Sequence, residues 1–139
     1  MRVVIIEDEI AAARRLEKML KEIDANIEVV AIVDTIDSAI ELFSNPEIFD
    51  MVFMDIHLAD GSSFEIFKSV ELTKPLTFIT AYDEYAIHAF KVNAIDYILK
   101  PIKRYELENA YEKMKLVNSS HIFDYGKLVR ALEKKDFNK

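Results

Sequence analysis

Three acids, a threonine and a lysine stand at the ends of four short apolar runs. Glu7 and Asp8 follow Val3–Ile6, Asp55 follows Met51–Met54, Thr80 follows Phe78-Ile79, and Lys100-Pro101 follow Tyr97-Ile98-Leu99. Clustered carboxylates suit a hard cation such as Mg2+, which takes oxygen ligands and keeps several waters. A carboxylate can also attack a phosphoryl donor and become an acyl phosphate, splitting one transfer into two steps. Asp55 is the best candidate for that nucleophile. Lys100 would supply a fixed cation and Thr80 a hydroxyl donor for the phosphoryl oxygens. Two carboxylates about 5 Å apart repel by roughly 3 kcal/mol at an effective dielectric of 20, so such crowding asks for an offsetting positive charge.

Each residue taken singly has a plainer account. Glu7 and Asp8 stand just before a helical pattern and would serve as caps; Lys100 would be a solvated strand end, and Thr80 an ordinary β-branched strand residue. What favours a site is that all four positions fall at the same end of a strand-like run. In an open α/β sheet the carboxyl ends of parallel strands share one edge, where ligands bind. Pro101 follows Lys100, where a cis peptide bond costs little and can turn the side chain inward.

The elements needed to bring these ends together are legible. Apolar runs of strand length alternate with segments of helical period, the mark of βαβ units around a parallel sheet. Strands are expected near 2–6, 27–33, 51–54, 76–79 and 94–99. The first helix, near 10–23, has Ile10, Ala13, Leu16, Leu20 and Ile23 on one face and Arg14, Glu17, Lys18 and Lys21 on the other. Cap candidates in 34–37 open a second helix through Phe43, which Asn45-Pro46 stops. Asp60-Gly61 is a turn pair, and Ser62 with Glu65 forms a capping box for a third helix to about Val70. A fourth follows Asp83 to about Lys91. A fifth, about 104–117, carries the stripe Leu107, Ala110, Tyr111, Met114 and Val117. The fold class expected is α/β, a doubly wound five-stranded parallel sheet with five helices, complete by about residue 118. Residues 119–139 read as a linker or appended helix.

With 139 residues the chain is one domain, and 51% apolar against 31% charged residues gives it a sizeable core. Only Gly61 and Gly126 are glycine, and neither lies in a glycine-rich phosphate loop, which removes P-loop and dinucleotide-binding readings. A net charge of −7 argues against gripping nucleic acid directly. The absence of cysteine and of any membrane-length apolar stretch points to a cytoplasmic protein with no membrane contact.

At these residues the chain resembles the receiver domain of bacterial two-component response regulators. The resemblance covers about residues 2–117 and rests on IIEDE, FMDIHLADG and FITAYDEYAIHAFKVNAIDYILKPI. The last string is similar to receivers of the LytTR (LytR/AlgR) type. The resemblance implies a flavodoxin-like sheet of order 2-1-3-4-5 and Asp55 as phosphoacceptor for a sensor histidine kinase. It implies Mg2+ on Asp8, Asp55 and the backbone carbonyl of His57, with Glu7 completing the acidic pocket through water. It also implies Thr80 and Lys100 as phosphoryl contacts, Tyr97 as the aromatic switch coupled to Thr80, and a homodimer through the fourth helix, fifth strand and fifth helix. Such a domain catalyses only its own phosphorylation and dephosphorylation. Its DNA-binding output would lie in an effector domain of about a hundred residues, absent here, so an excised or a stand-alone receiver is expected.

Other residues weigh less. His57 and Tyr82, two positions past Asp55 and Thr80, would flank the path of hydrolytic water and slow loss of the phosphoryl group. His57, His88 and His121 have no metal-site spacing. Two rival functions stay open. An Asp-nucleophile phosphatase needs a second acid two residues past the nucleophile, where His57 stands, and a cap domain. A phosphorylation-independent interaction module would not need the five groups retained here.

Overall fold

The structure, a computed structural model, describes residues 1–81 and 94–118. Five strands, β1 (Arg2–Ile6), β2 (Glu28–Val33), β3 (Met51–Met54), β6 (Leu76–Thr80) and β7 (Asp96–Leu99), form one parallel sheet of order β2-β1-β3-β6-β7. That is the 2-1-3-4-5 order expected. A small antiparallel hairpin, β4 (His57–Leu58) with β5 (Gly61–Ser62), follows β3. The described helices are α1 (Ile10–Ile23), α2 (Ile36–Phe43) and α3 (Arg104–Asn118), with short 3₁₀ turns at Pro46–Ile48 and Ser63–Lys68. The expected fourth helix, with Asp83 and Lys91, and the expected linker at 119–139 lie outside the described residues.

Side chains alternate across a strand, so a sheet covered on both faces must be apolar at every position. Val3 and Ile5 of β1, with Met51 and Phe53 of β3, join Leu16, Leu20, Leu107 and Met114 under α1 and α3. Val4, Ile6, Val52 and Met54 face the other way onto Ala39, Phe43, Phe49 and Ile66. This is why those runs read as unbroken hydrophobics. Phe53 is fully buried, and truncating such a ring typically costs about 3–5 kcal/mol.

Two clamps fix the ends of the elements. Asp50 accepts from Arg2 N at 2.7 Å, Nε at 3.2 Å and Nη2 at 3.1 Å, tying the starts of β1 and β3 together. The Tyr111 hydroxyl donates to Asp24 Oδ2 at 2.7 Å, and Arg104 donates to the Glu22 carbonyl at 3.0 Å, locking α3 to the end of α1.

Several local expectations are corrected. Ile10, at the first position of α1, is 73% exposed, whereas Ala13, Leu16 and Leu20 are buried as expected. The third helix is a six-residue 3₁₀ turn. Its capping box does not close: Ser62 Oγ accepts from Phe64 N at 3.3 Å, but Glu65 is spent on Lys68 at 3.0 Å. The three-residue repeat brings Phe64 and Phe67 onto the same cluster as buried Ile66. The β7 ladder begins at Asp96, two residues later than expected, after Ile95 N donates to the Leu76 carbonyl at 2.7 Å. In β2 a register shift moves from Val3↔Val29 to Val4↔Ala31. Val29 then packs with the α1 layer, while Ala31 and Val33 pack with the α2 layer.

Candidate functional site

Each candidate residue is held by the strand beside it. Glu7 N donates to the Val33 carbonyl at 2.9 Å, Asp55 N to the Ile6 carbonyl at 2.9 Å, and Lys100 N to the Thr80 carbonyl at 2.8 Å. The backbone ladder therefore continues just past the strand ends and fixes where these side chains start.

Their tips meet at Lys100. Its Nζ lies 2.7 Å from Glu7 Oε1 and 2.9 Å from Asp55 Oδ2, joining residues 93 and 45 positions away in sequence. The Lys100–Pro101 peptide is cis. Asp55 Oδ1 accepts from Ile56 N at 2.6 Å, so both of its oxygens are engaged. Side-chain exposure is 7% for Glu7, 11% for Asp55 and 27% for Lys100. The pair is neither bulk-solvated nor sealed.

Burial is the largest influence on Glu7 and pushes its carboxyl pKa up, aided by the nearby Asp55 charge; the Lys100 hydrogen bond opposes this without overcoming it. For Lys100 burial alone would lower the pKa, but two carboxylate acceptors outweigh it and the net shift is upward. Both pKa values rise, but the rise disfavours the charged form of Glu7, which shares one donor, and favours that of Lys100, which has two acceptors. The ammonium is held in its charged form, and burial makes Glu7 take up a proton more readily than an exposed glutamate.

Thr80 is fully buried at the end of β6, and its hydroxyl has no hydrogen-bond partner among the described residues. A buried unsatisfied hydroxyl costs about 1–3 kcal/mol, so the group is poised for an acceptor. Tyr97 is half-buried, with its ring 6.3 Å from that of Phe78. Asp8 is exposed, unlike Glu7 beside it, and His57 is exposed in the hairpin after Asp55. Tyr82, His88 and His121 lie outside the described residues.

Among the described residues no three His, Asp or Glu side chains converge as a metal cluster. The implied ligand set asks for less: two carboxylates, Asp8 and Asp55, and one carbonyl. This oxygen-only set fits a hard, partly hydrated dication, with Glu7 turned onto Lys100.

One structural residue escaped sequence reasoning. Both oxygens of Asp60 accept from Ile36 N, at 2.9 and 3.1 Å, capping α2 from 24 positions away beside the Thr35 cap. This fastens the loop after Asp55 to α2. Gly61 completes it with φ +139°, a conformation that favours glycine, and Ile36 Cδ1 lies 3.4 Å from where a Cβ would stand. The Asp-Gly pair signalled a turn, but nothing local signalled the distant helix.

A doubly wound 2-1-3-4-5 parallel sheet, with acids and a lysine meeting at its carboxyl edge, defines a flavodoxin-like fold. Residues 3–112 match the response regulator receiver domain, and the chain belongs to that family. It is 36% identical over 127 residues to the sensory transduction protein LytT of Bacillus cereus, covering 88% of this chain and 50% of the relative. It is 35% identical to the sensory transduction protein LytR of Staphylococcus haemolyticus, covering 88% and 49%. The chain thus spans about half the length of these curated relatives. Among solved structures, the response regulatory domain of mrkE from Klebsiella pneumoniae superposes with a TM-score of 0.75 at 26% identity, covering 85% of this chain and 98% of that one. Receivers are phosphoacceptor signalling domains rather than turnover enzymes; they generally bind Mg2+ at the acidic pocket and imply a sensor kinase and an output domain. No described helix is long and apolar enough to cross a membrane.

Proposed function

We propose that this receiver accepts a phosphoryl group on Asp55 from the phosphohistidine of a sensor kinase. The observation that carries the reading is the Glu7–Lys100–Asp55 constellation beside a buried threonine hydroxyl that has no hydrogen-bond partner among the described residues. A carboxylate oxygen of Asp55 attacks phosphorus, the P–N bond to the kinase imidazole breaks, and its electron pair returns to the ring nitrogen. Lys100 then pairs with a phosphoryl oxygen, and the Thr80 hydroxyl donates to another. Asp8, Asp55 and the His57 carbonyl would hold Mg2+, with Glu7 reaching it through water; bound there, the ion offsets charge on the transferring group.

The added charge, up to about two units, is the switch. Inverting a 1:99 conformational equilibrium takes roughly 5.5 kcal/mol of differential stabilisation, for which the new contacts to Thr80 and Lys100 are the source. As Thr80 moves, Tyr97 beside Phe78 re-seats its ring. The β7–α3 surface, with Asp96 on Lys113 at 3.0 Å and Leu99 and Tyr105 exposed, then strengthens a symmetric dimer, which sedimentation with and without a phosphoryl mimic would detect. A cytoplasmic setting and a DNA-binding output outside this chain belong to the same reading, and His57 with Tyr82 would slow hydrolysis of the acyl phosphate.

Labelling with a small-molecule acyl phosphate and Mg2+, followed by mass mapping, tests the proposal. Label on Asp55, lost in Asp55→Asn, is expected. Label elsewhere, none at all, or rapid turnover of the donor would reject it in favour of an interaction module or a phosphatase.

A further inference from the structure

A cavity of about 150 Å³ opens beside the Asp55–Lys100 pair, on the α1 side of the sheet. Its floor is apolar and closed: Ile5, Phe53 and Ile79 from the strands and Leu16 from α1 are all buried. Met19 and Ile102 form half-buried walls, and Lys100 and Asp55 close one end. A cavity of about this size has room for a single benzene-sized molecule against its apolar floor.

The rim adds a charge. Arg15 lines the cavity, is exposed, and makes no hydrogen bond or ion pair among the described residues. In the metal-free chain Lys100 is already occupied by Glu7 and Asp55, which leaves that end with an excess of one negative charge. An anionic head is thus disfavoured at the Asp55 end and favoured at the Arg15 rim. We infer that this cavity is a binding site for a compact aromatic monocarboxylate, with its ring against Leu16, Met19 and Phe53 and its carboxylate on Arg15. The site is distinct in chemistry from phosphoryl acceptance and does not require Asp55 to be modified.

Methionine methyl resonances test it on the unmodified chain. Of the five methionines, Met19 lines the cavity on the α1 side, Met54 belongs to a lining strand but packs its side chain into the opposite layer, and Met1, Met51 and Met114 are not part of the lining. Titration with benzoate is expected to shift the Met19 methyl and leave those of Met1, Met54 and Met114 in place. Acetate, lacking the ring, should shift none, and benzyl alcohol, lacking the charge, should bind about two- to five-fold more weakly, the range for an exposed ion pair. In Arg15→Gln, an exposed position that leaves the core intact, benzoate should lose that advantage over benzyl alcohol. An unmoved Met19 methyl at millimolar benzoate, or equal shifts in all five, overturns the site. An undiminished preference for benzoate in Arg15→Gln overturns the assigned orientation. Because the readout needs no phosphodonor, failure here and failure of Asp55 labelling are separable.

Discussion

Replacing Lys100 by methionine removes one positive charge while keeping most of the side-chain volume, and it strands two carboxylates. Their contacts to Nζ, 2.7 and 2.9 Å, put the two oxygens no more than about 5.6 Å apart, where their repulsion is roughly 3 kcal/mol at an effective dielectric of 20. Breaking a buried pair by removing one partner typically costs 3–5 kcal/mol; water reaches this site, and a loss of about 2–3 kcal/mol at pH 7.5 is expected for Lys100→Met. The loss should depend on pH with a definite sign. Glu7 already has a raised pKa from burial and the Asp55 charge, and without Lys100 the opposing influence disappears. A carboxyl group whose folded pKa lies above its unfolded value contributes stability below the unfolded pKa and loses it as pH rises through the folded pKa. The variant's deficit should therefore be largest at pH 7.5 and shrink toward pH 5 as the pair takes up a proton. Urea denaturation of both proteins at the two pH values measures it. An equal deficit at both, or one below about 0.5 kcal/mol at pH 7.5, would show that the two acids are not held together by this amine.

Thr80→Val removes a buried hydroxyl without a partner and keeps the β-branched shape, so the unphosphorylated protein should gain about 1 kcal/mol by denaturant melting while the response to phosphodonor is lost. Gly61→Ala puts a side chain on a backbone at φ +139° facing Ile36, and should cost about 1–3 kcal/mol in the same assay. For Asp50, burial raises the carboxyl pKa, but the hydrogen bonds from Arg2 outweigh it and hold the pKa below the usual range. Its contribution is present above the unfolded carboxylate pKa and lost as pH falls through the lower folded value, so Asp50→Asn should flatten the acid limb of the stability curve. The Tyr111 phenol is held well above its ordinary pKa by burial and by Asp24. Tyr111→Phe should remove a late-titrating component from the alkaline absorbance titration, and an unchanged profile would contradict the Asp24 contact.

The sequence alone determined the alternation of strands and helices, because strands buried on both faces must be apolar at every position and helices on one stripe only. It also determined the chemical identities at the carboxyl edge, since Glu7, Asp55, Thr80 and Lys100 each terminate such a run. The doubly buried strands left little doubt about which residues form the core, Val3–Ile6 and Met51–Met54 above all. Ile10 was misjudged because periodicity gives a helix face and not the height at which the sheet beneath it ends. The segment after Ser62 winds as a 3₁₀ turn because Phe64 and Phe67, three residues apart, reach the same cluster as Ile66 almost as well as the α period would place them.

Only the tertiary structure decided what depends on distance. The opposite environments of adjacent Glu7 and Asp8 come from the turn of the chain off β1, and the sharing of one ammonium by Glu7 and Asp55 depends on where β7 delivers Lys100. The Asp60 cap on α2, the orphaned Thr80 hydroxyl and the cavity under Arg15 are likewise products of elements meeting. Side-chain type is local information. Which charge finds a partner, and which hydroxyl is left without one, is settled when segments tens of residues apart exclude water from one another.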